Sequence, residues 1–269
     1  MQLITAHNGV KYLKSDKIKC PHGFSTRIGG VSSTEPHTKE LNLQFGRGDS
    51  DETVLANLGA FAEAVGVLPE SFVTAHQVHS STVMRITDAD SGKGYFRPTD
   101  FNADGFVTSF SGVSPAVKTA DCVPILLSGE DGHGRVVAVS ALHAGWRGTA
   151  KNIVSVGVTE LFGLGVAPEN IFCAIGPHIC AECFEVDTDC RDEILSSLGE
   201  SYGRFIHRKG NKFHVDLGKI NRQLLLDMGI SESNIDLSDA CTFESDELFY
   251  SHRKTKGLRG TMLSVISIR

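Results

Sequence analysis

The sequence has no long apolar run and no excess of basic residues. A membrane-spanning helix needs about 20 consecutive apolar residues, and no stretch of the chain approaches that length. The 26 lysines and arginines are outnumbered by 32 acidic residues, which gives a formal net charge of −6. General nucleic-acid binders carry a basic footprint instead. We therefore expect neither a membrane nor a nucleic acid as a partner.

The N-terminus lacks the pattern of a secretion signal. Residues 1–7 contain no basic segment followed by an apolar core, so we expect a cytoplasmic location. The seven cysteines are an odd number, and reduced thiols are the default in such a chain. Cys180 and Cys183 have C-x-x-C spacing, but one such pair without a second is weak evidence for zinc. We expect these two to be ordinary free thiols.

The chain also contains no His-x-His pair among its 11 histidines. Classical multicopper oxidases need several copper centres and many more histidines at that spacing. Residue chemistry alone therefore gives no support to a multicopper oxidase.

No internal repeat, low-complexity segment or linker interrupts the 269 residues. The 41% hydrophobic and 22% charged content is ordinary for a globular protein, and a chain of this length can build a core without staples. Short strands mixed with a few helices, without regular βα alternation, predict an α+β fold with mixed β-sheets and flanking helices. We expect a single domain over residues 1–269, and a monomer.

Apolar spacing and capping residues predict the elements. Acidic and capping residues at 49–52 mark the start of the first helix, and Gly66 marks its end. Helices are expected at 54–65, at 149–162 after a turn at 145–148, at 188–198 and at 215–226. Strands are expected at 104–108, 171–177, 184–187 and 262–268, with a bent strand or strand pair at 72–84.

The stretch from Cys122 to His143 organises the rest of the chain. Apolar runs at 123–127 and 136–142 flank a Gly-rich break, which is typical of a β-hairpin. If the turn is centred on 132–133, partner numbers add to 265, and Cys122 lies opposite His143. Directly opposed residues have Cβ atoms roughly 4.5–5.5 Å apart. That distance suits two ligands of one metal, or a Cys–His nucleophile pair.

Two histidines, His76 and His79, precede this hairpin. On a strand, residues three apart point to opposite faces, so we expect only one of them to face a given site. His79, Cys122 and His143 form a possible His₂Cys set. Three protein ligands with an open fourth position are the catalytic zinc pattern, and the same ligand types occur at copper sites. The alternative is that Cys122 is a small buried residue and His143 caps the turn.

Six motifs carry a family resemblance, in order from about residue 23 to the end. Two of them are long and specific, Thr-Ala-Asp-Cys-Val-Pro-Ile-Leu-Leu at 119–127 and His-Ala-Gly-Trp-Arg-Gly at 143–148; the others lie at 75–80, 103–105, 175–177 and 184–186. Together they resemble the YfiH, or laccase-domain, family.

The resemblance implies a site and an activity. It implies zinc bound by His79, Cys122 and His143, with Cys122 and His143 at the reaction centre. The family was first labelled polyphenol oxidase or laccase. The implied activity is purine nucleoside phosphorylase, which cleaves adenosine, inosine, guanosine and methylthioadenosine with phosphate, together with adenosine deaminase activity. Purine nucleosides and phosphate are the implied partners.

The chain departs from the family pattern at several arginines. The early helix has Asn57-Leu58 where the family usually carries Asn-Arg. The final motif has residues 251–254 (Ser-His-Arg-Lys) in place of Ser-Tyr-Arg-Arg, and 258–260 (Leu-Arg-Gly) in place of Thr-Gly-Arg. These departures concern phosphate or sugar contacts and leave the zinc set intact.

Phosphorolysis requires a bound phosphate, and guanidinium groups match oxyanions bidentately. Arg27, in a Gly/Ser-rich loop at 25–32, is one candidate phosphate donor, because backbone N–H groups of such loops also hold anions. Arg147 and Arg253 are the other two candidates.

Two rival functions follow from the same residues. In a cysteine hydrolase, Cys122 would be the nucleophile and His143 its base. A zinc-stabilised binding protein would normally have four protein ligands, for which His178 is the possible fourth. Metal content tests the first rival, and phosphate-dependent turnover tests the second.

Overall fold

The computed structural model describes residues 1–268. Within this range, the strands are β1 (Gln2–Thr5), β2 (Lys11–Lys14), β3 (His22–Ser25), β4 (Phe72–Val73), β5 (Val83–Arg85), β6 (Gly105–Thr108), β7 (Ser114–Thr119), β8 (Val123–Glu130), β9 (Val136–Ala144), β10 (Ile171–Ile175), β11 (Glu185–Val186), β12 (Ile206–Lys209), β13 (Lys212–Val215), β14 (Ile235–Leu237) and β15 (Met262–Ile266). The α-helices are α1 (Asp51–Val65), α2 (Trp146–Ala150), α3 (Ile153–Gly163), α4 (Thr188–Leu198), α5 (Leu217–Asp227) and α6 (His252–Thr255).

The strands form three sheets. The first has the order β1-β2-β3-β15-β7-β4, the second β14-β10-β8-β9-β6-β5 and the third β11-β13-β12. Three neighbouring pairs are parallel, namely β4 with β7, β5 with β6 and β10 with β14, and the other pairs are antiparallel. The sheets are therefore mixed.

The two large sheets pack face to face between two helical layers. Leu126 of β8 and Val117 of β7 belong to one buried cluster that fills the space between the sheets. The outer face of the first sheet packs on α1, where Phe61 meets Leu263. The outer face of the second sheet packs on α3, α4 and α5. β8 is buried on both faces along its whole length, which explains its continuous apolar run.

Several helices follow their sequence signals closely. α1 begins after Ser50, whose side chain accepts a hydrogen bond from the Thr53 N–H, and ends at Gly66 with φ 83°. α4 spans the predicted residues. α5 begins two residues later than predicted, because Asp216 is its N-cap and accepts from the Lys219 N–H.

The segment at 145–162 differs from the prediction of a turn and one helix. Residues 146–150 are themselves helical, and α3 starts only at Ile153. Asn152 separates the two helices with φ 55°, and its side chain caps α3 through the Ser155 N–H. Asparagine tolerates the left-handed conformation and is also a favoured N-cap, so one residue ends one helix and starts the next.

The segment at 72–84 is neither a strand pair nor one bent strand. β4 pairs with β7 in the first sheet, whereas β5 pairs with β6 in the second. The residues between them are irregular and cross from one sheet to the other. His76 and His79 lie in this crossing, so the alternation rule for strands does not apply to them.

The hairpin of β8 and β9 is confirmed, but its predicted register is wrong. Pro124, not Cys122, lies opposite His143, so partner numbers add to 267. At the turn, the Asp131 carbonyl accepts from the Gly134 N–H, and the Asp131 N–H donates to the Arg135 carbonyl. The register shifts just before the turn, between Gly129 and Glu130. The offset is two residues. Because side chains alternate with a period of two, Cys122 and His143 still lie on the same face.

Candidate active site and metal centre

The three predicted ligands come together at the end of this hairpin. One ligand atom from each of His79, Cys122 and His143 lies within 4.8 Å of the other two. Nε2 of His79 is 3.9 Å from Sγ of Cys122. The two imidazole rings meet edge to face, with centroids 4.9 Å apart. Three donors at these distances can share one metal ion.

Asp104 holds both histidines in place, and it is fully buried. Its carboxylate accepts hydrogen bonds from the backbone N–H of Val78, His79 and Ser80 at 3.2, 3.0 and 2.6 Å. It also lies 2.8 Å from Nδ1 of His143. With Nδ1 bonded to the carboxylate, Nε2 of His143 is the nitrogen free to bind metal.

His79 has an unusual backbone, and this corrects the expectation that only one histidine faces the site. Its φ of 57° lies in the left-handed region, which the three N–H bonds to Asp104 stabilise. His76 and His79 consequently line the same cavity. Sequence reasoning treated this segment as a strand and noted Asp104 only as part of a motif.

Gly145 leaves room for the cluster. A Cβ atom at this position would lie 2.7 Å from Cδ2 of His79 and 3.2 Å from Sγ of Cys122. A side chain there would push two ligands apart. This is a physical reason for the glycine in the motif at 143–148.

The neighbours of Cys122 favour its thiolate. Burial alone would raise the pKa of Cys122, but the charge and hydrogen bond of His143, with a smaller contribution from His79, lower it to about 6. Burial opposes protonation of His143, yet Cys122 and Asp104 raise its pKa to about 9. Burial alone would raise the pKa of Asp104, but its hydrogen bonds from His143 and Ser80 lower that pKa to about 2.

A polar cavity of about 310 Å³ opens beside the cluster. Three cations line it: Arg47, Lys118 and Arg259. Burial, with a contribution from Arg47, lowers the pKa of Lys118 to about 8 and that of Arg259 to about 10. Within residues 1–268 none of the three forms an ion pair with a carboxylate. Nε of Arg259 is buried without a hydrogen-bond partner in the protein.

The predicted phosphate donors lie elsewhere. Arg27 stacks on Tyr250 at 4.6 Å, donates to the Asp246 carbonyl, and lines a different cavity. Arg147 and Arg253 line two hollows on another side of His79 and Cys122. Sequence reasoning missed Arg47 and Lys118 as cavity residues. It noted Arg259 only as a departure from the family motif.

The hollows on that side are mainly apolar. The larger has a volume of about 260 Å³. The walls contain Ile179 and Phe184 in both hollows, His252 in the larger one, and Trp146 and Leu217 in the smaller one. Such walls suit a flat, apolar ligand face next to the cluster.

His178 does not belong to the cluster, contrary to its suggested role as a fourth ligand. Its Nδ1 lies 2.8 Å from the Gly176 carbonyl, and its other edge packs against Gly218, where a Cβ would lie 2.3 Å from Nε2. Burial lowers its pKa, so this is a neutral, structural histidine.

Known proteins share this fold and much of the sequence. A solved structure described as Bacillus licheniformis hypothetical protein YfiH matches with a TM-score of 0.90 and 29% identity, and covers 99% of each chain. A Deinococcus radiodurans protein named purine nucleoside phosphorylase is 33% identical over 260 residues, which are 97% of this chain and 94% of that protein. A protein from an unknown prokaryotic organism, named adenosine deaminase RL5, is 33% identical over 86% of this chain and 87% of its own length.

The structural match confirms the predicted α+β fold of mixed sheets and flanking helices. Residues 21–269 match the family model described as multi-copper polyphenol oxidoreductase laccase. This chain therefore belongs to the laccase-domain, or YfiH, family, as its motifs predict.

Proposed function

We propose that the chain is a zinc-containing purine nucleoside phosphorylase. It would convert adenosine, inosine, guanosine or methylthioadenosine and phosphate into free base and a ribose-1-phosphate type product. The observation that carries the proposal is one cavity that joins the His79–Cys122–His143 cluster to three cations without carboxylate partners. The name of the Deinococcus radiodurans relative supports it.

The donor set fits zinc. One thiolate and two imidazoles leave a fourth position for water or substrate, as in catalytic zinc sites. The Asp104 carboxylate behind His143 is the type of outer partner that orients a metal-binding imidazole. When bound, zinc supplies Lewis-acid chemistry and activates water. Copper accepts the same ligand types, so metal analysis decides between the two.

Phosphate would bind at Arg47, Lys118 and Arg259 rather than at Arg27. Guanidinium groups present paired donors that match phosphate oxygens, and a lysine adds a point charge. The buried, unpartnered Nε of Arg259 gains a hydrogen bond when an anion enters. Arg147 and Arg253, which line the apolar hollows, would contact the nucleoside instead.

The purine would lie against the apolar walls that Ile179, Phe184 and Trp146 provide. This places the ribose between the base and the cations. A phosphate oxygen then forms a bond to C1′ while the C1′–N9 bond breaks. The electron pair of that bond leaves with the base, which takes up the proton that monohydrogen phosphate gives up. The chain contributes by holding the two reactants in line and by compensating phosphate charge.

Purified protein incubated with adenosine or inosine tests the proposal. Base release and formation of sugar phosphate, measured by liquid chromatography, should depend on added phosphate. Turnover that is unchanged without phosphate, or absent with all four nucleosides, would contradict it. Robust phenol oxidation by copper-loaded protein without base release would favour a laccase. Light scattering on the same samples tests the predicted monomer.

Adenosine deamination is a second candidate activity, supported by the relative named adenosine deaminase RL5. Zinc deaminases use histidine and cysteine ligands to activate the water that attacks the ring carbon and releases ammonia. The His₂Cys set offers the same ligand types. Conversion of adenosine to inosine in phosphate-free buffer, with ammonia released in equal amount, tests this activity separately from base release.

A cysteine hydrolase remains the rival that the geometry also accommodates. Asp104, His143 and Cys122 form a chain of carboxylate, imidazole and thiol, as in cysteine hydrolases in which a third group orients the base. The two mechanisms differ in metal content. Metal-free protein that retains full catalytic activity would support the cysteine-hydrolase mechanism.

A further inference from the structure

A second group of metal-ligating side chains lies outside the active-site cluster. Sγ atoms of Cys180, Cys183 and Cys241 all lie within 4.8 Å of one another. The first two come from the C-x-x-C pair, whereas Cys241 is 61 residues beyond Cys180. All three are free thiols in the structure. Three sulfurs around one zinc ion, each at about 2.3 Å from the metal, require little more than a small closing movement of this group.

The two loops that carry these cysteines are already joined by backbone hydrogen bonds. The Thr242 N–H donates to the His178 carbonyl at 3.0 Å, and the His178 N–H donates to the Ala240 carbonyl at 3.4 Å. The Cys180 N–H points at Sγ of Cys241, 3.2 Å away. This bond holds the sulfur of Cys241 against the C-x-x-C loop.

A carboxylate lies next to the C-x-x-C pair. Glu244 stands three residues after Cys241, the same spacing that separates Cys180 from Cys183. Its Oε1 lies 3.7 Å from Sγ of Cys183. Carboxylate oxygen is an accepted zinc ligand beside thiolates, and Glu244 is exposed, so its side chain has freedom to turn inward.

We propose that Cys180, Cys183 and Cys241 bind a zinc ion, with Glu244 as the fourth ligand. Soft thiolate ligands select zinc over magnesium or calcium, and four protein ligands are the structural rather than the catalytic pattern. Zinc replaces the thiol protons, which pass to solvent when the metal binds.

The position of this site gives it a structural task. Ile179 and Phe184, at either end of the C-x-x-C loop, are walls of the apolar hollows beside Cys122. Asp121, which precedes Cys122, accepts from the hydroxyl of Thr242 at 2.6 Å, and its carbonyl accepts from the Ile179 N–H at 3.0 Å. A metal that clamps the two cysteine loops would therefore fix a wall of the active site.

The test measures zinc in the full-length protein, loaded with Zn²⁺ under reducing conditions and freed of excess metal. The proposal predicts two equivalents in the wild type and one in Cys122→Ala, whose remaining ion occupies the three-cysteine site. Cys180→Ser/Cys241→Ser should also lose one equivalent, while Cys190→Ala, which changes a buried cysteine outside both groups, should match the wild type.

Cobalt binding adds a measurement that does not require Cys180→Ser/Cys241→Ser to fold. In Cys122→Ala protein loaded with Co²⁺, thiolate-to-metal absorption in the near ultraviolet should persist, and Cys183→Ser in that background should weaken it. A Cys122→Ala protein without zinc would overturn the proposal. So would a Cys180–Cys183 disulfide, detected by mass spectrometry, in reductant-treated protein that takes up no metal. Zinc equal to the wild type in Cys122→Ala would instead contradict the active-site metal alone.

Discussion

Residues 1–268 contain two groups of three metal-ligating side chains, and their surroundings are opposite in character. His79, Cys122 and His143 are backed by the buried Asp104 and face a cavity lined by cations. The three cysteines of the second group are backed by backbone groups and neighbour the acidic Glu244. In the proposed function, the first group holds a metal beside a bound anion. The second offers only ligands.

The charge state of the two groups differs in the same way. Imidazoles lower the pKa of Cys122 to about 6 even though burial acts in the other direction. In the second group, burial raises the pKa of Cys180 and of Cys183, and Cys241 raises both further. A thiolate next to an imidazolium is stable without metal, whereas thiolates beside each other require a cation. Metal removal should therefore leave a reactive thiolate at Cys122.

The largest expected effect is that of Cys122→Ala. Because this change removes the only sulfur of the first group, we expect loss of the active-site zinc and of nucleoside turnover to the level of the assay background. Cys180→Ala and Cys183→Ala are the matched controls, which should retain the active-site zinc and most turnover. Active Cys122→Ala protein would refute the active-site assignment.

The next largest effect concerns thiol reactivity after chelation. At pH 7 the metal-free Cys122 should be mostly thiolate, because its pKa is lowered to about 6, and its alkylation rate should fall as the pH drops through that value. Cys180 and Cys183 should react slower by a factor on the order of 100, because only thiolates attack. Peptide mass mapping follows each site. Rapid alkylation of Cys122 in zinc-loaded protein would favour the hydrolase.

Asp104→Asn changes a residue that hydrogen-bonds to a ligand of the first group only, and therefore tests the two groups separately. Loss of the carboxylate behind a metal-binding histidine typically costs about 10–100-fold in metal affinity, and we expect this at the first group alone. The folded pKa of Asp104 is lowered to about 2. Its stabilising contribution is therefore present above the unfolded value of about 3.9 and is lost as the pH falls towards 2.

Zinc titration and thermal unfolding between pH 7 and pH 3 check the prediction for Asp104→Asn. The wild type should unfold at a higher temperature than Asp104→Asn at pH 7, and this difference should shrink as the pH falls. Asp239→Asn, at an exposed position, is the control. An unchanged zinc affinity in Asp104→Asn would show that His143 needs no outer partner.

Sequence reasoning found the first group for reasons that were only partly correct. The register of the hairpin was wrong by two residues, but an even offset keeps Cys122 and His143 on one face. His79 was predicted through the motif, whereas its position depends on a left-handed φ of 57° held by Asp104. No local pattern indicates a carboxylate that acts on a loop 25 residues away.

The second group and the cations could not be predicted from spacing. The C-x-x-C pair was visible, but its partner Cys241 reaches it only through the packing of two loops. Arg47 and Arg259 come from loops far apart in the chain and meet in one cavity. Among arginines that all appear equally plausible in the sequence, only the fold determines which ones line the polar cavity beside Cys122.

The smallest of these effects tests that cation-lined cavity, which distinguishes the first group from the second. Arg259→Gln removes a charge and a donor set from the proposed phosphate position. A hydrogen bond to a charged group contributes about 1.5–3 kcal/mol, so we expect the KM for phosphate to rise by about 10-fold or more, with zinc content unchanged. Arg27→Gln is the matched control, since Arg27 stacks on Tyr250 in another cavity. Initial rates at varied phosphate and saturating inosine measure the difference. If Arg27→Gln raises the KM for phosphate and Arg259→Gln does not, the anion binds where the sequence first placed it, and the cavity beside Cys122 serves another ligand.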